Sequence, residues 1–88
     1  MIIKGTTTSG FNYEITEAAL NNYELFEVIA EVDEKPLLVP RLINLLFGSD
    51  QKKRLLDHCR AEDGTVPVER VKDEIVDIFN SQQKVKNS

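Results

Sequence analysis

Pro36-Leu37-Leu38-Val39-Pro40-Arg41-Leu42-Ile43-Asn44-Leu45-Leu46-Phe47 is the stretch on which the reading of the fold turns. Eight of its twelve residues are apolar, whereas one buried helix face needs only three or four in two turns. Pro36 ends the preceding helix and suits the first turn of the next one, because that turn leaves its N–H groups unpaired anyway. Pro40 must fit the same first turn or mark the true start. Leu38, Leu42, Leu45 and Leu46 form one helical face, and Leu37, Val39, Ile43 and Phe47 widen it almost all the way round. Gly48 reads as the stop. Two explanations compete for the surplus: a central helix buried on several sides, or a helix that also meets another chain. A domain this small has difficulty surrounding a helix completely. Leu38, Leu42, Leu45, Leu46 and Phe47 are therefore the candidates for contact with an apolar client or for self-association, against the plainer reading that they are core.

Upstream, Leu25, Ile29 and Val32 recur at i, i+4, i+7, with Phe26 and Ala30 alongside and Glu24, Glu27, Glu31 and Glu34 opposite. Asn22 can cap this helix, and Thr16 can cap an earlier start at Glu17-Ala18-Ala19-Leu20. The first fifteen residues differ in kind. Ile2 to Thr8 is β-branched, Phe11-Asn12-Tyr13-Glu14-Ile15 alternates apolar and polar, and Ser9-Gly10 supplies a turn between them. A lone hairpin is barely stable in water. It must pack on the helices, pair with another chain or remain a mobile arm.

Downstream, Ser49 is placed to cap a helix whose apolar side is Leu55, Leu56 and Cys59. Asp63-Gly64 reads as that helix's end, with the glycine left-handed. Pro67 opens a last helix, striped by Val71, Ile75 and Ile78 and extended by Val68 and Phe79. Asn80 to Ser88 has one apolar residue, Val85. The expectation is a mainly α fold: a small bundle of three to four helices with an N-terminal β-hairpin. Residues 1–80 form one domain (1–15 the hairpin or arm, 16–80 the helices), and 81–88 form a flexible tail.

The chain has 88 residues, enough for a single core and little more. Its net charge is −4, and the deficit lies in the first half, where seven acids face three bases over residues 1–44. That balance argues against nucleic acid as a partner, since phosphate binding needs surplus Lys and Arg. No apolar run approaches the roughly 20 residues of a membrane span, and no signal peptide is legible. The single cysteine, Cys59, cannot form an internal disulfide. The default expectation is a soluble intracellular protein.

Chemistry-bearing patterns are sparse. His58 and Cys59 are neighbours, so on a helix they point about 100° apart and do not chelate together. No other His or Cys completes a zinc site, so no metal and no cofactor are expected. Nucleophilic catalysis would need a base close to Ser, Thr or Cys, whereas the threonines and Ser9 cluster in the hairpin, far in sequence from His58. Asp33-Glu34, Glu62-Asp63 and Asp73-Glu74 read as solvated surface, and the four isolated glycines make no phosphate loop. Lys52-Lys53-Arg54 reads as a solvated face. No catalytic residue is expected.

The order of several segments resembles the short tail assembly chaperones of long-tailed bacteriophages. These are Ser9-Gly10-Phe11-Asn12-Tyr13-Glu14-Ile15, Tyr23 to Asp33, Leu45-Leu46-Phe47-Gly48 before a Gln-Lys-rich helix start, Glu62-Asp63-Gly64-Thr65-Val66-Pro67, and the terminal Lys86-Asn87-Ser88. The resemblance spans nearly the whole chain and contains no catalytic signature. It implies a non-enzymatic protein that coats the tape measure protein until the tail tube protein displaces it. It implies a longer product of a −1 ribosomal frameshift that recruits tube subunits. It also implies residence in the host cytoplasm, absence from the mature virion and a homo-oligomeric state. The borrowed role suits the composition: an apolar stripe for an aggregation-prone client, an acidic exterior, and many weak copies acting together.

Two readings from other classes stand beside it. A small oligomeric phage connector would use the same apolar surplus to build rings and would stay in the virion. An acidic inhibitor mimicking nucleic acid would present Glu24 to Glu34 to a basic protein and would release it in salt.

Overall fold

The computed structural model describes the backbone of residues 1–87 and the side chains of residues 1–82. Strands β1 (Ile2–Thr6) and β2 (Asn12–Thr16) pair antiparallel, Ile3 opposite Ile15 and Gly5 opposite Tyr13. After them come helices α1 (Glu17–Leu20), α2 (Tyr23–Glu31), α3 (Val39–Leu46), α4 (Ser49–Cys59) and α5 (Val68–Asn87), with a 3-10 turn at Pro36–Leu38 before α3. The architecture is the expected one, a mainly helical bundle led by a hairpin.

Local chemistry explains most boundaries. The hairpin turns at Gly10, whose φ of 96° only glycine adopts without strain. Thr16 Oγ1 accepts from the Ala19 N–H at 3.0 Å, and Asn22 Oδ1 accepts from the Glu24 N–H at 3.1 Å, so both expected caps are in place. Pro36 opens the 3-10 turn and Pro40 falls in the first turn of α3, where neither missing N–H is needed.

Four boundaries differ from the sequence reading. Gly48, not Ser49, precedes α4 as its cap residue, and no side chain closes that end. Gly48 has a φ of −81°, so α3 does not end on a left-handed glycine. Instead Phe47 turns extended at φ −124°, ψ 153°, its N–H still closing on the Ile43 carbonyl at 2.8 Å while the residue stays buried. Likewise α4 stops at Cys59, before Gly64. Gly64, at φ 91°, belongs to a separate turn in which Asp63 Oδ1 accepts from both the N–H and the hydroxyl of Thr65. At the far end the backbone stays helical through Asn87, across the stretch read as a tail, and Gln82 donates to the Tyr13 hydroxyl at 2.8 Å. The Val85 side chain and those of the terminal Lys86-Asn87-Ser88 segment lie outside the described residues.

One core joins every element. Phe11, Tyr13 and Ile15 of the hairpin side meet Leu25, Val28, Leu42, Leu46, Leu55, Ile75 and Ile78. The hairpin therefore packs on its own bundle. Tyr13 lies across Gly5, where any Cβ would collide with the phenol ring. Among the described residues no helix is long and apolar enough to cross a membrane.

Candidate functional site

The segment from Pro36 to Phe47 divides its apolar residues sharply. Leu42 is fully buried, and Leu46 and Phe47 are 5% and 8% exposed. Leu38 and Leu45 are half-buried against the same core. Of the five residues singled out from the sequence, none stands free, and Leu42, Leu46 and Phe47 are spent on the chain's own interior. Leu37 is the exception in the segment, 94% exposed. Its neighbours explain this. Leu38 and Val39 turn inward in the tight 3-10 turn, which its Leu38 N–H to Lys35 carbonyl bond closes at 2.9 Å. The residue between Pro36 and Leu38 is left facing out.

Leu37 borders an open groove of 320 Å³ between the start of α3, the middle of α4 and the start of α5. Val39, Pro40, Ile43, Leu56, Val66 and Val71 line it, with Val68 half exposed at its edge. Lys52 is the charged residue on the lining, and among the described residues neither it nor Lys53 forms an ion pair. The groove thus offers apolar carbon plus an uncommitted ammonium. Covering a side chain such as Leu37 with apolar surface is worth about 1.5–3 kcal/mol. A second exposed apolar pair, Tyr23 and Phe26 on α2, sits among Glu27 and Glu31. Phe26 meets Phe79 edge to face at 5.2 Å.

A polar cluster at the hairpin tip was not legible in the sequence. Glu74, expected at the surface, is 8% exposed. Its carboxylate accepts from the Thr7 hydroxyl at 2.7 Å and the Ser9 hydroxyl at 2.8 Å. Ser9 Oγ also lies 2.9 Å from His58 Nε2, and Asp77 accepts from the Thr8 N–H at 2.9 Å. His58 packs against the Phe11 ring, over which Arg54 also lies. The tip is thereby tied to α4 and α5 by residues 49 to 69 positions away, which no local pattern reveals.

Ser9, His58 and Glu74 carry the side-chain types of a hydrolytic triad, but not its wiring. A triad places serine and acid on opposite imidazole nitrogens. Here both approach Nε2, the acid at 3.8 Å. With the serine proton directed to Glu74, the remaining contact is an N–H donated by His58 to Ser9. The tautomer follows from this bonding pattern. The neighbouring Cys59 is buried, which pushes its thiol up, and Glu74 pushes it further. This cluster fastens the hairpin. Among the described residues no group of three or more His, Cys, Asp or Glu side chains is arranged to hold a metal ion.

The groove accordingly leaves apolar surface uncovered, whereas the buried polar side-chain atoms of the tip cluster are all partnered. Comparison with protein-family models, curated proteins and solved structures finds no match for the chain.

Proposed function

We propose that this protein is a non-enzymatic tail assembly chaperone of the long-tailed phage type, and that it shields an apolar helical stretch of a tape measure protein before the tail tube polymerises. The observation that carries the reading is the open apolar groove beside Leu37. A client helix would lay an i, i+3, i+4 stripe into it, and an acidic residue on its flank would meet Lys52. Each contact is small, so the tube protein can displace many copies without breaking a tight complex. Recruitment of tube subunits by a longer frameshifted product belongs to the same proposal, as do a cytoplasmic site of action, homo-oligomeric coats and absence from the finished virion.

The test is co-expression with the tape measure protein encoded beside it. The wild-type chain keeps the client in the soluble fraction. Leu37→Asp and Val68→Asp lose that effect while the chaperone itself keeps its helical circular dichroism and melting temperature. Undiminished client solubility with both variants would remove the groove from client binding.

A further inference from the structure

The hairpin has two edges, and only one of them carries side-chain caps on its outward backbone groups. Thr7 N–H bonds to the Phe11 carbonyl and Glu17 N–H to the Met1 carbonyl, so in this register the odd-numbered residues exchange hydrogen bonds inside the hairpin. The even-numbered backbone groups point outward. On β2 two of them are capped: Glu14 N–H donates to Gln51 Oε1 at 3.2 Å, and the Asn12 carbonyl accepts from Arg54 at 2.6 Å. On β1 the N–H and C=O groups of Ile2, Lys4 and Thr6 face outward with no partner among the described residues. Met1 and Ile2, 87% and 54% exposed, extend this open edge with apolar surface.

We infer that β1 is a self-pairing edge: two copies join antiparallel about a two-fold axis at Ile3 to give one four-stranded sheet. The occupant is a second copy because its edge continues the β1–β2 ladder with matched groups. Ile2 and Lys4 of each copy supply both donors and acceptors to Lys4 and Ile2 of the other, making four backbone hydrogen bonds. Side chains select this register. An axis at Lys4 would set two ammonium groups opposite each other. The axis at Ile3 instead places Lys4 between its own Glu14, 3.5 Å away, and the second copy's Ile2, and brings the two Ile3 side chains together. Two extra strands also turn a marginal hairpin into a sheet of ordinary width. This interface is separate from the Leu37 groove and stands or falls apart from client binding.

The experiment is sedimentation of the full chain over a concentration series, with two variants. The expected result is a monomer–dimer equilibrium. Lys4→Pro removes an outward N–H that the hairpin does not use, so it leaves the fold's circular dichroism unchanged. It weakens the dimer at least about tenfold, since two interchain bonds go at once. In a Cys59→Ser background, Ile3→Cys forms an interchain disulfide under mild oxidation and Lys4→Cys does so far less, as the axis at Ile3 requires. A chain that stays monomeric throughout, a Lys4→Pro variant that dimerises as well as wild type, or preferential cross-linking through Lys4→Cys would overturn the proposal.

Discussion

The hairpin tip and the Leu37 groove are finished in opposite ways. At the tip, four polar side chains (Thr7, Ser9, His58 and Glu74) are drawn together and satisfy one another. At the groove, apolar side chains converge and nothing in the described structure lies over Leu37. The usual expectation is that apolar groups hold a fold together while polar ones meet the outside. This chain uses a buried carboxylate to fasten its hairpin and leaves apolar surface around Leu37 uncovered. The difference teaches where to look for function: in the region whose surface is incomplete, not in the region richest in reactive side chains.

The largest expected effect separates core from groove within one segment. Leu42→Ala should destabilise the fold by about 2–5 kcal/mol, because a fully buried side chain leaves a cavity. Leu37→Ser, five residues earlier, should stay within about 0.5 kcal/mol of wild type. Chemical denaturation of both variants checks the contrast. Equal losses would erase the division between them.

Next comes the tip. Glu74→Gln can accept one of the two hydroxyl donors, from Thr7 or Ser9, and leaves the other facing an amide nitrogen. The expected cost is about 1–3 kcal/mol. Hydrogen exchange should quicken first at the amides of Thr7 and Phe11, which close the hairpin loop. Faster exchange confined to α2 would contradict the tethering role.

Much of the fold was legible because its signals are local. Thr16 and Asn22 announce caps, Gly10 a turn, and Val71, Ile75 and Ile78 a stripe that is buried as read. The sites were less legible. Eight apolar residues in twelve say that α3 is central but do not say which residue faces out. That depends on the 3-10 turn at Pro36, which shifts the helical phase before Val39. Glu74 looked solvated because its partners come from the other end of the chain. Gly64 misled for the reverse reason: Asp63 and Thr65 build their own turn and take the glycine away from the helix end.

The smallest effect lies in that turn. The Thr65 hydroxyl, and then the Thr65 N–H, hold the Asp63 carboxyl below the usual carboxylate range. A lowered value means the bonded turn is favoured above the ordinary carboxylate pKa and its support is lost as pH falls through the lowered one. Acid titration followed by the Thr65 amide resonance should show the change with the core resonances still in place. A Thr65 amide that does not respond over the acid range would sink this reading of the turn.

The most direct test of client binding in the groove is a chemical-shift map of the labelled full chain with an apolar helical peptide taken from the tape measure protein. Perturbations are expected at Leu37, Val68, Leu56 and Lys52, and they should disappear with Leu37→Asp while Ser9 and His58 stay unmoved. Perturbations centred on Ser9, His58 and Glu74, with Leu37 and Val68 silent, would contradict it.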